Sequence, residues 1–130
     1  MSEEYSLEIV NPEKLFLIKK DVLEVVVPAF EGEMGILKDH ISIISFLKPG
    51  IIKIFSKTEE ENFYIEDGIL EFKNNNLSIL TSLILNIKDL SKEKIEEILK
   101  STKIELDNEE ISDQKKYLLD QKNEVLKSIN

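Results

Sequence analysis

At 130 residues, 42% of them apolar, the chain is long enough for one compact domain with a sizeable core and a small appendage. The absence of cysteine excludes a disulfide framework, a thiolate nucleophile, the usual structural zinc sites and iron–sulfur clusters. A formal charge of −9, from 26 acidic and 17 basic residues that are all lysine, argues against a nucleic-acid binder and leaves no arginine fork for phosphates or carboxylates.

The opening Met1-Ser2-Glu3-Glu4-Tyr5-Ser6 is acidic, with neither an apolar signal core nor an arginine-rich bias, so no processing is expected. No run approaches the ~18 apolar residues of a membrane helix, and a soluble, cytosolic chain is the expectation. Every glycine and proline falls at or before Gly68, at positions 12, 28, 32, 35, 49, 50 and 68. Between them lie short β-branched and aromatic runs with a period near two, as in Leu23/Val25/Val27 against Val22/Glu24/Val26, and Ile52/Ile54 against Lys53. Further strands are expected over 7–10, 15–18, 41–47, 62–66, 69–73 and 77–85, the last two joined by an Asn74-Asn75-Asn76 turn. Many short, closely spaced strands suggest a sandwich or barrel.

From Asp89 the texture changes. Leu90, Ile95, Ile98 and Leu99 stand among Lys and Glu, with Asp89 or Ser91 as a cap, which predicts an amphipathic helix. A polar stretch over 102–110 separates it from a second helix carrying Ile111, Leu118, Leu119, Val125, Leu126 and Ile129, with Ser112 or Asp113 as its cap. Lys115 and Lys122 interrupt that stripe, so the pair must form a hairpin, lean on the β domain or wait for a partner. The stripe itself reads equally as a partner surface or as ordinary hairpin packing.

Glu31, Glu33 and His40 supply two carboxylates and an imidazole, the raw material of acid–base catalysis or of a metal site. The competing reading is a solvated turn, which the balance favours: one histidine makes neither a triad nor a zinc cluster. Gly32 and Gly35 lack the lysine and hydroxyl residue of a phosphate-binding P-loop.

The order of residues is more informative than their types. Glu31-Gly32-Glu33-Met34-Gly35-Ile36-Leu37 followed by His40, then Leu47-Lys48-Pro49-Gly50, Tyr64-Ile65-Glu66-Asp67-Gly68-Ile69-Leu70-Glu71-Phe72 and Leu77-Ser78-Ile79-Leu80-Thr81, resembles the epsilon subunit of F-type ATP synthases, counterpart of the mitochondrial delta subunit. The resemblance implies an α+β fold: a flattened β-sandwich over residues 1–87, then an antiparallel helical hairpin over 88–130. It also implies a non-catalytic rotor subunit without a cofactor or metal, linking the gamma subunit to the c ring in the central stalk. Such a subunit couples proton translocation to ATP synthesis and can restrain hydrolysis through helices that reach the alpha/beta head. Its place is the cytoplasmic face of the bacterial inner membrane, through the complex alone. By the same resemblance Glu31, Gly32 and Glu33, with His40 nearby, face the c ring, and the apolar strand faces meet gamma. The rival expectation is a free-standing β-sandwich adaptor.

Some positions depart from the family pattern. Lys38-Asp39 stands where proline-glycine is usual, Ser42 where proline is common, and Asp67-Gly68 where two glycines are common. In the segment that binds ATP in some members, Ser91 replaces aspartate and Lys94 replaces arginine. The loss of the carboxylate and the guanidinium fork predicts a degenerate site.

Overall fold

The computed structural model describes residues 3–129, so Met1 and Ser2 of the acidic opening and Asn130 lie outside the described residues. Nine strands come first: β1 (Tyr5–Asn11), β2 (Lys14–Ala29), β3 (Gly32–Leu37), β4 (Ile43–Leu47), β5 (Gly50–Ser56), β6 (Glu60–Ile65), β7 (Gly68–Lys73), β8 (Asn76–Leu80) and β9 (Ile84–Asn86). A 3-10 turn, Ile87–Asp89, leads into helices α1 (Lys92–Leu106) and α2 (Asp113–Ile129).

The strands run in the order β1-β8-β7-β4-β2-β5-β6-β9, with β3 attached to β2 and β1 returning to pair with β2. β2 therefore belongs to both layers. Its first half pairs with β1, its second half with β5 and β3, and Ala29 at its end meets Leu47 of β4. Between the layers lie Leu7, Ile9, Val25, Val27, Ile36, Ile52, Ile54, Leu70, Phe72 and Ile79, all essentially inaccessible to solvent. Tyr5 stacks edge-on against Phe72 with ring centroids 5.4 Å apart. Its hydroxyl donates to the Ile36 carbonyl at 2.6 Å, and burial pushes its pKa up.

Four local differences from the sequence expectations have physical causes. The runs at 15–18 and 22–27 are one strand: β1 pairs with Lys19 and again with Val22 across a bulge at Lys20-Asp21, and the Lys19 ammonium is met by Glu59 at 2.9 Å and Glu61 at 3.2 Å. The apolar run at 77–85 is two strands. Thr81 Oγ1 donates to the Leu83 carbonyl at 2.8 Å and accepts from the Leu83 amide at 3.2 Å, so the side chain takes over the backbone's role there. The segment after Glu31 is strand β3 rather than a loop, with Met34 half-buried and Ile36 fully buried on its inner face. Finally, α1 runs on to Leu106 into the polar stretch, since Thr102 is buried and donates to the Ile98 carbonyl at 2.8 Å.

Two of the departures in sequence are absorbed by side-chain bonds. Asp39 adopts φ 65°, the left-handed conformation that a glycine would supply, and Asn75 locks it by accepting from its amide at 2.7 Å and donating to its carboxylate at 3.0 Å. Asp67 accepts from the Ser82 amide and hydroxyl at 3.0 and 2.7 Å, tying the β6–β7 turn to the link between β8 and β9. Gly50, by contrast, has no substitute: a Cβ there would overlap the ring of Pro28.

The hairpin rests on the outside of the sandwich. Tyr64, Ile95 and Leu126 form the centre of a second apolar cluster that also takes in Ile51, Leu85, Ile98 and Val125. Ser91 Oγ accepts from the Lys94 amide and Ser112 Oγ from the Lys115 amide, each at 3.1 Å, so serine caps both helices. A polar clasp borders the cluster: Glu66 Oε2 accepts from the Tyr64 hydroxyl and pairs with Lys122 Nζ, both at 2.9 Å. Burial, reinforced by Glu66, raises the Tyr64 pKa and keeps that hydroxyl a donor.

Candidate docking surfaces

The first candidate surface is the end of the β2–β3 hairpin. Ala29 pairs with Gly32, which leaves Phe30 and Glu31 as a two-residue turn. Gly32 has φ 132°, accessible to glycine and strained for any side chain, although open space surrounds it. Glu31 and Glu33 are both solvent-exposed and Phe30 is 40% exposed, so the turn presents two carboxylates beside an aromatic ring. His40 is not part of this cluster. It follows the far end of β3, about 17 Å along the strand from Gly32 at ~3.3 Å per residue. There its ring stands edge-on to Phe72, centroids 5.9 Å apart, and Nδ1 lies 2.8 Å from the Ile41 carbonyl.

The second surface is assembled by strand register. Residues directly opposite one another share a sheet face. Leu15 pairs with Val10, Val10 with Leu80, Leu80 with Ile69, and Ile69 with Phe46. Ile9, Ile79 and Leu70 point into the core, so this row points out, and four of its members are 42–60% exposed: Leu15, Leu80, Ile69 and Phe46. Spanning five strands at ~4.8 Å spacing, it forms an apolar band about 19 Å long. The adjacent row reads Ile18, Glu8, Ser78, Glu71 and Ile44 by the same pairings, so acidic groups border the band. At one end the band opens into a groove of about 410 Å³ lined by Phe30, Phe46, Ile69 and Leu80, with Leu118 of α2 as a further wall. Sequence reading placed an apolar partner face on the strands but could not name this row, whose members are up to 70 residues apart and meet only through register.

The third location holds Ser91 and Lys94. Ser91 Oγ is occupied as the α1 cap, and Lys94 Nζ lies 3.9 Å from Glu97. Lys94 and Lys122 line one cleft, but each shares it with its acidic partner, Glu97 and Glu66. Among the described residues no group of three or more His, Asp or Glu is placed to hold a metal ion. No described helix is long and apolar enough to cross a membrane.

These features define a class of protein: a β-sandwich that carries a helical hairpin on one outer face and an exposed apolar band on another. The family profile for the ATP synthase Delta/Epsilon chain beta-sandwich domain matches residues 4–87. The ATP synthase epsilon chain of Pelagibacter ubique (strain HTCC1062) is 71% identical over 130 residues, covering 100% of both chains. That of Dichelobacter nodosus (strain VCS1703A) is 37% identical over 98 residues, 75% of this chain and 68% of its own. Among solved structures, a chain of the Euglena gracilis mitochondrial ATP synthase, in its OSCP/F1/c-ring assembly, superposes with a TM-score of 0.81 at 18% identity, covering 98% of this chain and 82% of its own. A chain from the Tetrahymena thermophila mitochondrial ATP synthase central stalk and c-ring gives 0.67 at 14% identity over 98% of each. At those identities the likeness is one of fold. The chain belongs to the ATP synthase delta/epsilon family, as an epsilon chain. It is accordingly a non-catalytic part of ATP synthase, a membrane-associated complex.

Proposed function

We propose that this chain is the rotor subunit joining the gamma subunit to the c ring in the central stalk, at the cytoplasmic face of the bacterial inner membrane, and that it couples ring rotation to ATP turnover. The observation that carries the reading is the apolar band from Leu15 to Phe46. Four of its five side chains are 42–60% exposed side by side, a contiguous apolar row of the kind that marks a partner surface, and gamma is the partner assigned to it. The β-sandwich over 1–87 is the docking unit and the hairpin over 88–130 its regulatory appendage.

Glu31, Gly32 and Glu33 are assigned to the c ring. A tight anionic turn suits the polar loops of another protein, where charge sets register and specificity more than affinity. His40 joins that contact only if the ring surface follows the length of β3, because it lies at the strand's other end. Ser91 and Lys94 are assigned no nucleotide.

The test is the double substitution Glu31→Lys and Glu33→Lys in the reconstituted synthase. Both side chains are exposed, so each change should cost under ~0.5 kcal/mol of stability, and the sandwich should stay folded. Proton pumping per ATP hydrolysed is expected to fall. Unchanged coupling would count against the turn as the ring contact.

A further inference from the structure

The apolar band has two unlike flanks. On one side stand Asp67 and Ser82, each two residues from a band member, Ile69 or Leu80, and so on the same face. These two are engaged with each other: Asp67 accepts from the Ser82 amide at 3.0 Å and from its hydroxyl at 2.7 Å. The other flank is the row Ile18, Glu8, Ser78, Glu71 and Ile44, about 7 Å from the band along the strands. Its ends are apolar, Ile18 at 55% and Ile44 at 66% exposure, and its middle is anionic. Glu8 and Glu71 are both exposed and stand two strands apart, ~10 Å. Glu8 is met by the Ser78 hydroxyl at a long 3.4 Å, and among the described residues no lysine pairs with either carboxylate. By contrast Lys19 holds Glu59 and Glu61, and Lys122 holds Glu66.

We propose that the segment of the gamma subunit covering the band carries two cationic side chains along one edge, which meet Glu8 and Glu71, and that this pair of carboxylates sets the segment's orientation and speeds its docking; the proposal rests on the gamma-docking reading of the band. Continuity with the band selects the occupant, because a partner lying on Leu80 and Ile69 also covers the row ~7 Å away. Covering that row strips water from two carboxylates, which is costly unless the partner supplies the missing charge. A segment laid the other way round would bring its cations to Asp67, whose carboxylate is already engaged by Ser82, and would leave Glu8 and Glu71 facing apolar surface. The apolar row thus supplies affinity, and the unpaired carboxylates on one side of it select among partners and orientations.

Association and dissociation rates of the full chain with purified gamma subunit, measured from low salt to about 1 M, where the Debye length is only ~3 Å, test this. The double variant Glu8→Gln and Glu71→Gln keeps the shape of both side chains. It is expected to associate roughly tenfold more slowly than the parent chain at low salt and to lose most of the salt dependence. Glu109→Gln with Glu110→Gln makes the same change in net charge in the exposed turn between the helices, and its rates should stay within about twofold of the parent's. Leu80→Ser, at a band position 49% exposed, reports on the docking reading itself and should weaken binding at every salt concentration. Weakened binding by Leu80→Ser, with the Glu8/Glu71 variant behaving like the Glu109/Glu110 one, would overturn the proposal and leave the docking reading standing. Gamma binding unchanged in Leu80→Ser would overturn both.

Discussion

Lys19 shows how a charged residue is kept in the middle of a long strand. Its ammonium lies 2.9 Å from Glu59, 3.2 Å from Glu61 and 3.9 Å from Asp21. The bond to Glu59 is the main reason its pKa is raised; burial opposes it, and Glu61 and Asp21 add to the rise. The same bond lowers the Glu59 carboxyl below its ordinary value. A depressed carboxyl stabilises the fold above the ordinary carboxylate range, and that contribution is lost as pH falls through its folded value. A raised lysine stabilises below the ordinary lysine range and loses its contribution as pH rises through its folded value. The cluster is therefore intact from about pH 5 to 10. Lys19→Met should be less stable than the parent chain in urea unfolding at pH 7, and the difference should shrink at pH 3. An equal deficit at both pH values would mean that the lysine stem, not the charge, supports the strand.

At the level of elements, the hairpin and the sandwich have separate interiors. Every residue of the main core precedes Lys88, while Ile95 and Leu126 pack on the outer face of β6 through Tyr64. A chain cut after Lys88 is expected to keep a cooperative thermal transition and a strand-dominated circular dichroism spectrum, with reduced stability as Ile51, Tyr64 and Leu85 become exposed. A disordered product would show that the hairpin belongs to the folding unit.

Across the whole molecule, electrostatics and the state of two lysines bear on nucleotide sensing. A chain with a net charge of −9 repels a polyphosphate at long range. Locally, Lys94 and Lys122 are engaged by Glu97 and Glu66, and Ser91 is spent on its cap. Binding ATP between the helices and the sandwich would require these pairs to open, without arginine to give two bonds in return. Calorimetric titration of the full chain with Mg-ATP should show no saturable binding tighter than about 1 mM, or −4 kcal/mol. Tighter saturable binding would refute the reading of Ser91 and Lys94 as a degenerate site.

Strand-rich then helical order was legible because glycine, proline and β-branched residues punctuate the chain up to Gly68, and Lys/Glu-rich amphipathic segments follow Asp89. The Asn74-Asn75 turn was legible too, since asparagine tolerates the φ of 52° and 58° found there. The family was readable from four motifs in register, and the anionic turn from Glu31-Gly32-Glu33. Local patterns failed where long-range pairing overrode them. Lys19 looks like a break until Glu59 and Glu61 arrive from β6 and the turn before it, and residues 77–85 look like one strand until Thr81 bonds to Leu83. Only tertiary structure separated His40 from Glu31 and Glu33, because nine residues of sequence give no direction whereas a six-residue strand does. Only register could line up Leu15, Val10, Leu80, Ile69 and Phe46, and only packing could set Leu118 beside them. Side-chain chemistry and local period are written along the chain. Which faces meet depends on contacts between residues far apart in it, and those form only when the sheet closes.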